Sequence, residues 1–136
     1  MTRRSRARAV AFQILYEDDL NPQNNPAYAD DLIERRLKAE DLVAFARNLV
    51  AGVRRNRVNV DALIEETAAN WSLKRMAATD RNVLRLGAYE LLHSDTPGRV
   101  AIDEAVELAR RFGSAQSSQF VNGILDKLMH SKDSGE

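Results

Sequence analysis

Apolar residues recur at three- and four-residue intervals along almost the whole chain, and no run alternates apolar and polar residues over strand length. That spacing gathers apolar side chains onto one face of a helix, so it commits the chain to an all-α fold. In the first segment, Ala7, Ala11, Ile14 and Leu15 share a side while Arg8, Gln13 and Glu17 fall largely elsewhere. The spacing predicts a first helix over 3–20, ended by Asn21-Pro22-Gln23-Asn24-Asn25-Pro26, where prolines and amide side chains favour turns.

Leu32, Ile33 and Leu37 indicate a short second helix. Leu42, Phe45, Ala46, Leu49 and Val53 indicate a third, with Glu40 and Asp41 at the end where carboxylates suit the helix dipole. Asp61 reads as the cap of a fourth helix carrying Leu63, Ile64 and Ala68, and Trp71-Ser72 as a break with a short turn. Thr79 reads as the cap of a fifth, with Val83, Leu84, Gly87, Ala88 and Leu91 inward, ending before Asp95-Thr96-Pro97-Gly98. Ile102, Ala105, Val106, Ala109 and Phe112 form a sixth, which Gly113 closes as a left-handed cap. A seventh starts at Ser117 or Ser118 and buries Phe120, Val121, Ile124, Leu125 and Leu128. The expectation is about seven helices in a single domain over 1–130, with 131–136 a frayed tail.

A chain of 136 residues, 44% hydrophobic and 29% charged, can bury a core without disulfides or a structural metal. It contains no cysteine, which removes thiolate metal sites, iron–sulfur clusters and thiol nucleophiles and fits a reducing cytoplasm. The N-terminus is basic but lacks a long apolar stretch, so neither export nor membrane insertion is indicated. Twenty Lys and Arg balance twenty Asp and Glu, so any site for a polyanion must be local. The charges are unevenly placed. Arg3, Arg4, Arg6 and Arg8 precede the first acid, after which Glu17, Asp18, Asp19, Asp30 and Asp31 reverse the sign.

No catalytic apparatus, metal site or cofactor site is visible. His93 and His130 lack the paired spacing of a zinc hydrolase, and adjacent acids such as Glu65-Glu66 diverge around a helix rather than converge. Both histidines read as surface residues. Arg4 and Arg8 lie one helical turn apart, and Arg3 and Arg6 widen the same basic surface. Guanidinium groups fork onto phosphates and stack on bases, so the segment reads either as an RNA footprint or as a soluble chain end. Gln13 is placed to reach a base edge; Tyr16 serves either to stack on a base or to rim the core. Asp80, Arg81, Arg85, Tyr89 and Glu90 read as the polar side of an amphipathic helix, Trp71 as a core anchor and Asn122 as a buried structural amide.

Three stretches together resemble the NusB family of bacterial transcription antitermination factors. They are Arg3-Arg4-Ser5-Arg6-Ala7-Arg8 running on to Tyr16; Asp80-Arg81-Asn82-Val83-Leu84-Arg85-Leu86-Gly87-Ala88-Tyr89-Glu90-Leu91; and Val100-Ala101-Ile102-Asp103-Glu104-Ala105 continuing through Phe112-Gly113 to Phe120-Val121-Asn122-Gly123. The resemblance implies two small helical bundles packed across each other and a non-enzymatic RNA-binding adaptor. It implies as partners boxA RNA of nascent ribosomal RNA leaders, the ribosomal protein NusE, other Nus factors and RNA polymerase. By position it implies RNA contacts at Arg3, Arg4, Arg6, Arg8, Gln13 and Tyr16, with a second region at Ser117, Ser118, Gln119 and Phe120. It implies a NusE face at Asp80, Arg85 and Tyr89. Ser5 stands where relatives often carry arginine, Ala9 where they often carry glutamate, and Asp103 where asparagine is frequent, which reads as an alternative helix cap.

Overall fold

The computed structural model describes residues 2–133. Six α-helices and one 3-10 turn make up the ordered elements: α1 (Arg3–Leu20), α2 (Pro26–Leu37), α3 (Glu40–Thr67), the 3-10 turn (Leu73–Arg75), α4 (Ala78–His93), α5 (Gly98–Phe112) and α6 (Ser117–Asp133). No strand occurs among the described residues. The first helix spans the residues its periodicity predicts, and the Thr2 side chain caps it by accepting the Ser5 N–H at 3.1 Å. Asn25 caps α2 by accepting the Ala27 N–H, with Pro26 at the first helical position, where no N–H is needed. The tight α2–α3 connection puts Lys38 at φ +61°, a conformation that costs a side-chain-bearing residue about 1–2 kcal/mol.

The helix count is lower than expected because α3 does not stop at Asp61. No proline or glycine follows Gly52 within it, and fully buried Val60 and Ile64 continue the apolar stripe of Leu49 and Val53. Asp61 caps nothing; it accepts two hydrogen bonds from Arg85 of α4, at 2.8 and 3.1 Å. Other start and stop assignments also need correction. Helix α4 begins at Ala78, ahead of Thr79. Asp103 lies inside α5 as an exposed partner of Arg99 one turn back, and is not a cap. Gly113 is extended, with φ −99°, and glycine is required there by close approach, since a Cβ would sit 2.4 Å from Ser117 Oγ. Helix α6 runs to Asp133, with Lys132 Nζ donating to the Leu91 carbonyl at 2.8 Å; 134–136, the rest of the expected tail, lie outside the described residues.

Ion pairs set the directions of packing. Arg3–Asp41 and Arg54–Asp18 join α1 and α3 running the same way, whereas Arg8–Glu90 and Arg81–Asp19 join α1 to α4 running the opposite way. Helices α1–α3 form one bundle and α4–α6 the other, with α1 and α3 packed on α4. In the second bundle Gly87 lets three helices meet, because a Cβ there would lie 2.7 Å from Leu125 and 3.0 Å from Ala105. Leu84, Leu91, Ile102 and Leu125 are almost wholly buried, each contributing about 1.5–3 kcal/mol. Two expected interior residues are outside: Trp71 is 52% exposed, and Asn122 is exposed on α6.

Candidate nucleic-acid interface

The basic end of α1 divides into an exposed set and a buried strut. Arg3, Arg4 and Arg6 are exposed. Arg3 forks onto Asp41 with two 3.0 Å hydrogen bonds, and that bond holds the Asp41 carboxyl below its ordinary range. Both partners face solvent, so the pair is weak and a phosphate can replace the carboxylate. The Arg4 guanidinium lies 4.6 Å from the Phe45 ring centroid, and Arg6 donates to the Arg36 carbonyl at 3.3 Å.

Arg8, expected on the same surface, is only 4% exposed. Its Nε and Nη2 donate to the two Glu90 oxygens at 2.6 and 2.8 Å, with Glu104 at 3.6 Å. Burial is the largest influence on its charge and opposes it, but the hydrogen bond to Glu90 and the charges of Glu90 and Glu104 outweigh burial and raise its pKa above the ordinary arginine value. Arg8 therefore ties α1 to α4 and α5, and its burial takes it out of the exposed basic surface. The neighbouring departures also face inward: the Ser5 hydroxyl donates to Glu104 at 2.7 Å and Ala9 is buried, so neither thins the outer basic surface.

Further along α1, Gln13 and Tyr16 open onto a cleft of about 390 Å³ lined also by Phe12, Glu17, Tyr28, Arg36, Thr79 and Phe112. Phe12 stacks on Phe112 with centroids 5.1 Å apart and is tilted against Tyr16 at 6.0 Å. The cleft thus joins an aromatic floor, an amide and a phenol to a cation, a combination suited to a nucleotide. Tyr28 and Arg36 of α2 escaped the sequence reading. Their signal, an exposed tyrosine and a last-turn arginine, acquires meaning only when α2 folds back beside α1.

The Ser117–Phe120 stretch is not one surface. Ser117 is buried at 2% exposure, and its Oγ accepts the Ser114 N–H at 2.9 Å, securing the turn into α6. Ser118 is half-buried and Gln119 exposed, while Phe120 lies edge-on to Trp71 with centroids 5.5 Å apart.

Asp80, Arg85 and Tyr89 do not share a face either, because nine residues at about 100° each turn Tyr89 to the far side of α4 from Asp80. Arg85 is buried, bonded to Asp61 and Asn82 and 3.6 Å from Asp19. Burial pushes the Asp19 carboxyl up, but hydrogen bonds from Asn82 and Arg81 and the charges of Arg81 and Arg85 hold it below 3.8. Tyr89 lies over α3 so closely that a Cβ at Gly52 would be 2.1 Å from its Cζ, and its ring stacks on His93. Asp80, in the first turn of α4, is half-buried, and its Oδ1 is buried without a hydrogen bond among the described residues.

Residues 5–130 match the model of the NusB family. The "Transcription antitermination protein NusB" of Anaeromyxobacter dehalogenans (strain 2CP-1) is 44% identical over 132 residues, covering 93% of this chain and 90% of that protein. Among solved structures, NusB of T. maritima aligns with a TM-score of 0.82 and 36% identity over 96% of this chain and 92% of its own. A chain from the complex of antitermination factors NusB and NusE with double-stranded RNA aligns with a TM-score of 0.85 and 31% identity, covering 96% and 98%.

Proposed function

Since the chain belongs to the NusB family, we propose that it is a transcription antitermination factor that works by binding RNA together with NusE. The RNA is the boxA element of nascent ribosomal RNA leaders. The assembled complex, with other Nus factors, modifies elongating RNA polymerase in the cytoplasm so that it reads through terminators. The mechanism is tethering, with no bond made or broken.

The observation that carries this reading is the placement of Arg3, Arg4 and Arg6 at one end of α1 and the Gln13–Tyr16 cleft further along it. The arginines neutralise phosphates and the cleft takes an unstacked base. Ser118, Gln119 and Phe120 extend this surface across the corner into α6, whereas Arg8 and Ser117 support it from inside. On the protein side, Asp80 accepts a hydrogen bond from NusE at the start of α4, and Arg85 and Tyr89 hold that helix in place.

A titration of boxA RNA against the chain, with and without NusE and across a salt series, tests the reading. Three phosphate contacts give a slope of log affinity against log salt of about −2, at about −0.7 per contact for a single strand. NusE should tighten binding, and Asp80→Lys should remove that gain. Affinity for boxA RNA that is indifferent to both salt and NusE would refute the proposal.

A further inference from the structure

We propose that Trp71, with Phe120 beside it, is a stacking platform for single-stranded RNA at the far end of the molecule from the arginine arm. The inference rests on the RNA-binding reading above and adds a site to it. Trp71 is the chain's one tryptophan, and 52% of it is exposed. Phe120 meets it at 74°, an edge contact that holds the indole without covering both of its faces. The two rings border a groove of about 340 Å³ between the end of α3 and the start of α6. Gly123 lines it too, and a Cβ added there would meet nothing within 4 Å, so the groove is open on the α6 side.

The rim of this groove identifies its occupant. Asn70, Gln119 and Lys127 line it, and Lys74 and Arg75 follow Trp71 on the 3-10 turn. All five are exposed, and the three cations have no carboxylate partner among the described residues. Of the nearby acids, Glu65 is engaged by the Leu73 N–H at 2.9 Å. An apolar peptide would strand these polar groups, whereas a nucleotide supplies a π-face to the indole and phosphates to the cations. A duplex keeps its base faces inside the stack, so the occupant is a single strand.

The groove also continues the proposed RNA track. Phe112 lines the Tyr16 cleft and Gln119 and Phe120 line this groove, so the two are joined across the 113–116 corner. Asp41, beside Arg3, opens α3, and Trp71 lies just beyond its end, a separation of about 40 Å at 1.5 Å per residue. A stacked strand at about 3.4 Å per nucleotide crosses it in about a dozen nucleotides.

The single tryptophan makes the test direct. The full chain is titrated with a single-stranded boxA RNA of about 16 nucleotides, long enough at the same rise to reach from arm to groove, while Trp71 fluorescence is followed. Expected results are saturable quenching with the same midpoint as binding, and a loss of roughly 5- to 150-fold in affinity for Trp71→Ala at unchanged salt slope. Trp71→Phe should keep most of the affinity, and both variants should keep the wild-type circular dichroism. Salt-sensitive RNA binding that leaves the tryptophan unquenched and is equally strong in Trp71→Ala would overturn the platform while leaving the arm intact. Quenching by NusE without RNA would overturn it in favour of a protein contact. Wild-type chain that binds no RNA would overturn both readings.

Discussion

Replacing Arg8 by methionine removes one member of a buried ion pair and keeps most of the side-chain volume. Arg8 and Glu90 are 4% and 1% exposed, and their side chains are joined by hydrogen bonds of 2.6 and 2.8 Å. Stripping one partner from such a pair costs about 3–5 kcal/mol, because the other charge stays buried without compensation. Thr96 still donates its hydroxyl to Glu90 at 2.9 Å, which places the expected loss at the lower end, about 3 kcal/mol. For a domain of this size that is a fall in Tm of about 10 °C, at about 3–4 °C per kcal/mol. Urea denaturation at pH 7, followed by circular dichroism, measures it. Pairing Arg8→Met with Glu90→Met should recover most of the loss, because an apolar pair of similar volume removes the stranded charge. The same variant separates strut from ligand: its RNA salt slope should equal that of the wild type, whereas Arg4→Ala should flatten the slope by about 0.7. A loss below about 1 kcal/mol, typical of an exposed pair, or a slope flattened as in Arg4→Ala, would refute the buried strut.

Asp19→Asn tests the polar junction of α1 and α4. Its folded-state pKa lies below 3.8, so its contribution is fully present above that value and is lost as the pH falls through the folded pKa. The variant should lose about 1–3 kcal/mol at pH 7 and show a flatter decline of stability on acidification below about pH 4; parallel acid profiles would contradict this. Gly52→Ala places a Cβ 2.1 Å from the Tyr89 ring, so the ring must leave its stack on His93, at a cost of about 1–3 kcal/mol. In a Tyr89→Ala background the same substitution should cost little, and strictly additive losses in chemical denaturation would show that the two do not collide.

The elements were largely legible because the forces that form them are local. The Asn21–Pro26 loop, the extent of α1 and the apolar stripes of α5 and α6 need no partner beyond their own few turns to be read. Gln13 and Tyr16 also share a side of α1 by spacing alone. What misled the reading is polar chemistry whose partners lie far along the chain. Arg4 and Arg8 look equivalent at one turn's separation, and only Glu90, 82 residues on, makes Arg8 interior. Asp61 has the side chain of a cap until Arg85, 24 residues away, takes both its oxygens. Tyr28 and Arg36 join the candidate cleft only because α2 folds back on α1.

Helical period and charge order are properties of neighbouring residues, so the all-helical class and the basic end of α1 are written in the order of the amino acids alone. Only the docking of helices sets which arginines are exposed, turns Asp80 and Tyr89 apart across packed helices, and leaves the one tryptophan outside the core. The physical reason is that burial is set by the surface a residue finds when helices dock, and an ionic or aromatic side chain takes opposite roles at the two ends of that scale.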